Sequence, residues 1–195
     1  TIYSEGNWTY LGNKLEIYSS RSLNSQLSEI FDSFYHGHPN VNNELINRSK
    51  ISASINTARK RLIDNLLTQG GVLNFPKNTY PPERMIYDST LIKEGIICQN
   101  SNRFTVEQDS SYYFFWQRLD MLFEESRHQK RPFSDCVDLL KSKPIGMKDG
   151  LIKIFLSYYL IANNDSFALT HEPTSKFLPF LHVDSIEAMF SKPKE

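Results

Sequence analysis

Arg48, Lys50, Asn56, Arg59, Lys60 and Arg61 are the side chains of this sequence whose types and spacing best suit contact with a polyanion. Behind them Ile55, Ala58, Leu62 and Leu66 recur at helical intervals, so Ser52–Gln69 reads as a helix with one apolar face and Ser52 as its N-cap. Asn56 and Lys60 lie four apart and fall opposite the Ile55–Ala58–Leu62 stripe, with Arg61 close by. A recognition helix has this layout: its apolar face docks on its own core while Lys, Arg and Asn point out to phosphates or base edges. The bland reading is a solvated helix face, and Asp64, one turn beyond Lys60, favours it. Lys and Arg together number 22, as do Asp and Glu, so binding of nucleic acid through gross charge is not supported and a local patch would have to supply it.

Other chemistry fares less well. His36 and His38 form an HxH pair, but they lie at a helix end beside Gly37 and Pro39 with no nearby acidic or Cys ligand, and a metal site needs three or four ligands. His171-Glu172 and His182-x-Asp184 have acid–base character without a nucleophile; Glu172 and His171 are expected in a hairpin turn and Asp184 at a helix start. Gly146-Met147-Lys148-Asp149-Gly150 is too short for a phosphate-cradling loop and lacks the following Ser or Thr. GxSxG, HExxH and GxGxxG do not occur. No catalytic residue, metal ligand or cofactor is therefore expected in this segment. Tyr112, Phe115, Trp116, Leu119, Leu122 and Phe123 are spaced for one helix face, which suits core packing better than base stacking.

The elements that position these residues follow from periodicity and turn chemistry. Residues 8–18 predict a short hairpin about Leu11-Gly12-Asn13. Leu23, Leu27, Ile30, Phe31 and Phe34 predict a helix that ends at His36-Gly37-His38-Pro39. Leu45 and Ile46 predict a short helix that Ser49–Ser52 breaks before the helix Ser52–Gln69, the order of a helix-turn-helix, closed by Gly70-Gly71. Pro81-Pro82-Glu83 opens a helix running to Gly95, and residues 96–99 and 103–106 flank Asn100-Ser101-Asn102 as a hairpin. The second half repeats this order: helices over 112–125, 132–140 and 151–162, a hairpin of 167–170 with 176–179, and a last helix from His182-Val183-Asp184 to Phe190. The fold class expected is mainly α with small β-hairpins (α+β), arranged as tandem winged-helix-like units over residues 1–108 and 109–195, with the boundary in the polar stretch Glu107–Ser111.

A chain of 195 residues suits one large domain or two small ones, and thirteen Phe, ten Tyr and two Trp supply a core. Two cysteines, Cys98 and Cys136, in unrelated contexts exclude a disulfide framework or zinc ribbon and favour a reducing, cytoplasmic setting. The most apolar stretch, Leu151 to Ala162, is broken by Lys153 and Ser157 and falls short of the roughly 18–20 residues that span a bilayer, so no membrane partner is expected. The chain opens at Thr1 and closes at Lys194-Glu195, and both ends read as cuts in a longer protein.

Several phrases occur together: Asn43-Glu44-Leu45-Ile46-Asn47-Arg48, Ser52-Ala53, Ala58-Arg59, Pro82-Glu83-x-x-Ile86-Tyr87, residues 143–150 and Phe167-Ala168-Leu169. The set, spanning about Leu23 to Pro193, resembles a winged-helix-like non-catalytic region of large bacterial P-loop ATPases of restriction and phage-defence type. The resemblance implies an internal part of a larger NTPase; the ATPase signatures themselves are absent, so nucleotide binding and hydrolysis transfer to no position here. The leading expectation is an interaction or regulatory module whose partners are the rest of its parent protein, partner proteins or DNA. An autonomous winged-helix DNA-binding module is the alternative, and a hydrolase or nuclease subunit with an unrecognised site is the second alternative. A concave pocket gathering at least two of His171, Glu172, His182 and Asp184 would favour that last reading.

Overall fold

The computed structural model describes residues 7–69, 73–94, 96–98, 103–171 and 174–194. The chain divides into two units, Thr1–His36 and Gly37–Glu195.

In the first unit, β1 (Thr9–Tyr10) and β2 (Asn13–Lys14) pair antiparallel about Leu11 and Gly12. Both central residues have positive φ, 48° and 81°, the mirror-image turn whose twist matches that of the strands. Helix α1 (Ser20–Phe34) begins at a capping box: the Ser22 N–H donates to Ser19 Oγ and the Ser19 N–H to Ser22 Oγ. Its apolar stripe is the expected one, yet none of its residues is buried.

The second unit is mainly helical with two small antiparallel pairs. It contains α2 (Ala53–Gln69), α3 (Pro82–Tyr87), β3 (Ile97–Cys98) with β4 (Arg103–Phe104), and α4 (Tyr113–Ser126). There follow α5 (Phe133–Lys141), α6 (Asp149–Ala162), β5 (Leu169–His171) with β6 (Lys176–Leu178), and α7 (Val183–Ser191). Helix α3 runs on into a π-helical turn, Asp88–Ile92, so the segment expected as one α-helix changes its winding midway. The Gly70-Gly71 stop, Gly95, the Asn100–Asn102 turn and Glu172-Pro173 lie outside the described residues.

Helix α6 sits at the centre. Ten of its fourteen residues are buried, so it is apolar nearly all round, as an interior helix must be. Phe155 packs against Tyr112 and Phe115 from α4 and its cap, with ring centroids 4.6 and 5.1 Å apart. Tyr158 meets Thr90 through hydroxyls 3.0 Å apart, and the Tyr159 hydroxyl donates to Asp120 at 2.7 Å. The aromatic stripe from Tyr112 is thus core, with Tyr112, Phe115 and Leu119 fully buried.

Two expectations change. One buried cluster includes Ile46, Leu62 and Ile86 together with Tyr112, Phe155 and Ile186, so the core continues across Glu107–Ser111 and the division falls at His36–Gly37 instead. That polar stretch is stitched in: Ser110 and Ser111 donate to Glu94, and the Asn40 N–H donates to Ser111. Second, residues 44–46 form turns and not a short helix, so the helix-turn-helix ahead of α2 is absent. The reason is a close approach. The Gly150 N–H donates to Arg48 O at 2.9 Å, and a Cβ on Gly150 would stand 2.2 Å from Ile46 O. The backbone of 46–48 is therefore turned toward the start of α6. Gly37 has a similar role, since a Cβ there would meet the Phe114 ring at 2.4 Å.

Candidate functional site

The six residues expected to form a basic patch separate into two groups. Arg59 is 1% exposed and forms an ion pair with Glu187 of α7, while its Nε and Nη2 both donate to Asn56 Oδ1 at 3.2 and 2.9 Å. Lys60, 43% exposed, places Nζ 3.4 Å from the other Glu187 oxygen. Arg59 and Lys60 thus share one carboxylate that holds α2 against α7, and Asn56 holds the Arg59 guanidinium. This corrects the expectation of outward-pointing side chains at Arg59. Arg48, Lys50 and Arg61 are exposed, and the Arg48 Nε donates to Glu44 O at 2.8 Å. The burial of Arg59 depends on a residue 128 positions away, which local spacing does not reveal.

The histidines do not assemble. His36 Nδ1 lies 3.4 Å from Ser33 O in the first unit, and His38 Nδ1 lies 3.0 Å from Ile145 O in the second. Among the described residues, no three His, Cys, Asp or Glu side chains come together as a metal site would require. His182 and Asp184 open α7, where the Ser185 hydroxyl accepts from His182 N–H and donates to His182 O.

A concavity that sequence spacing does not suggest lies elsewhere. A cavity of about 470 Å³ opens between the C-terminal end of α4, α5, the β5–β6 hairpin and α7. Its walls include Phe123, Phe133, Phe167, Leu169 and Met189, and Phe123 meets Phe167 with centroids 5.2 Å apart. Lys130, Arg131, Lys192 and Lys194 also line it, all four exposed, and so stand at its solvent edge. Arg131 is ion-paired with Glu125 at 3.0 Å and Asp135 at 3.5 Å. Cys136 forms part of the wall; burial pushes its thiol up to about 12, so it is un-ionised and unreactive at neutral pH. Of the acid–base candidates, His171 lines the cavity, with Nδ1 2.9 Å from Thr174 Oγ1. His182 and Asp184 are not among its described lining residues, and Glu172 lies outside the described residues.

Among the described residues no helix is long and apolar enough to cross a membrane. No protein-family model, curated protein or solved structure matches the chain.

Proposed function

We propose that this chain is a non-catalytic interaction module within a larger multidomain NTPase, and that α1 is the element it docks with. The observation that carries this reading is the apolar stripe of α1. Leu27 is 38% and Phe31 57% exposed, Leu23 and Ile30 are only half-buried, and a fifteen-residue helix with no buried residue gains little from packing. Its polar face carries Arg21, Glu29 and Asp32 among serines, without the Lys and Arg excess of a helix that lies on an anionic membrane. The occupant that suits such a helix is an apolar groove of protein, met by residues at i, i+4 and i+7, here Leu23, Leu27 and Ile30 with Phe31 beside them. The groove belongs to another segment of the parent NTPase, in keeping with the resemblance of the chain to internal regions of restriction and phage-defence ATPases.

We read the order of three helices and a hairpin, α4–α5–α6–β5–β6, as winged-helix-like. In such an order the third helix would face DNA, whereas α6 is the most buried helix described. We therefore read the winged-helix-like order as scaffold. The DNA reading rests on Arg48, Lys50 and Arg61 alone and carries less.

Amide hydrogen exchange over residues 20–34 tests the proposal, comparing the isolated chain with the complete parent polypeptide. Protection of α1 in the parent, removed by Leu27→Asp with Phe31→Asp, is the expected result. Equal exchange in the two contexts contradicts it.

A further inference from the structure

We infer that the cavity between α4, α5, β5–β6 and α7 is a binding site for a single acyl chain with an anionic head. This rests on observations separate from those on α1. The volume, about 470 Å³, falls within the roughly 300–1,000 Å³ of small-molecule sites, and the walls are mostly aromatic and aliphatic carbon, which is the setting an alkyl chain needs. The charge at the edge decides the head group. Lys130, Arg131, Lys192 and Lys194 line the cavity; Arg131 is paired with Glu125 and Asp135 beside it, and among the described lining residues there is no Asp or Glu, although acidic and basic residues are equal in number over the chain. A rim on which four cations face the two carboxylates paired with Arg131 keeps an excess of positive charge over an apolar interior, so it attracts an anion whose tail is greasy and disfavours a cationic amphiphile. Thr170 adds a hydroxyl that can donate to a carboxylate or phosphate oxygen, whereas those of Ser126 and Ser185 already donate to Phe123 O and His182 O.

Isothermal titration of the complete chain with dodecanoate, dodecyl phosphate and dodecanol tests the assignment, at concentrations below those at which they form micelles. One-to-one binding of either anion, at least tenfold tighter than dodecanol, is expected. Shortening the carboxylate from twelve to ten to eight carbons should weaken binding roughly tenfold at each step, since each methylene buried contributes its transfer free energy. The preferred anion then separates a free carboxylate from a phosphate head. Ala188→Trp, which fills the cavity from an exposed position on α7, should abolish binding, and Lys130→Glu with Lys194→Glu should weaken it at least tenfold while leaving far-ultraviolet circular dichroism unchanged. Three results would overturn the inference: no uptake of either anion, dodecanol binding as tightly as dodecanoate, or undiminished binding by a folded Ala188→Trp chain. Self-association lost in Ala188→Trp, without anion uptake, would assign the cavity to a second copy and would also overturn it. The dodecanoate–dodecanol comparison needs no variant, so a misfolded substitution does not blunt the test.

Discussion

Arg59 is a buried cation whose guanidinium is satisfied by Glu187 and Asn56, so its contribution is set by what its removal leaves behind. Arg59→Ala is expected to cost about 3 kcal/mol in urea unfolding, because it opens a cavity and deprives a largely buried carboxylate of its main partner. Arg59→Met, which keeps the volume, should cost less. Tyr112 is the opposite case. Its ring is fully buried against Phe155, but its hydroxyl has no hydrogen-bond partner among the described residues. Tyr112→Phe should therefore leave stability within about 0.5 kcal/mol of the parent or raise it, whereas Tyr112→Ala should cost about 3–5 kcal/mol. Cys136 gives a pH dependence. Its thiol ionises near 9.0 when unfolded and near 12 when folded, so the unfolded chain loses this proton first. The contribution of Cys136 to stability is constant below pH 9 and declines between pH 9 and 12. Alkylation in a Cys98→Ser background should accordingly proceed at pH 8 only after urea unfolds the chain. Among these residues the sequence made the aromatic face of Tyr112 legible, since periodicity is local. It did not reveal Arg59 as a core residue, because the partner that allows its burial comes from α7.

Elements were most legible where a stripe or a turn residue is strong. The first hairpin follows from Leu11-Gly12, α1 from its Leu and Phe spacing, and α4 and α6 from aromatic and aliphatic runs. The hairpin also contains a correctable cost. Leu11 sits at φ 48°, where a Cβ-bearing chain loses about 1 kcal/mol unless it is Asn or Asp. Leu11→Asn should raise the hairpin population, read from cross-strand nuclear Overhauser effects between Thr9 and Lys14; an unchanged population would contradict the turn assignment. Leu45 and Ile46 look periodic, but two apolar residues do not set a period, and residues 44–46 form turns where the Gly150 N–H takes the Arg48 carbonyl. The π-helical turn at Asp88–Ile92 left no signal in the pattern, since the six-residue α3 and the five-residue turn are each too short to establish a period. The cavity was likewise invisible: its walls come from five segments, and no local spacing joins Phe123 to Phe167 or Met189.

Across the whole molecule, the repeat of helices and hairpin suggested a division near residue 108, and composition alone offers no means of telling a linker from a stitched loop. Ser110 and Ser111 are polar because they donate to Glu94. Residues on both sides of that loop share one buried cluster with α6 at its centre. Helix α2 consequently shares that core through one face, with Ala58, Arg59, Leu62, Ile63 and Leu66 all buried. Helix α2 is packed on one face against α6 and has Arg59 and Lys60 held by Glu187 of α7, whereas α1 has no buried residue.

Native-state hydrogen exchange in rising urea measures this directly for Gly37–Glu195. Amides of α2 at residues 58–66 and of α6 at residues 151–160 should exchange through the same global opening, with one free energy and one denaturant slope. Exchange of α2 and α3 through a separate, lower-energy opening, while α4 to α6 stay protected, would contradict a single core and restore two independent halves.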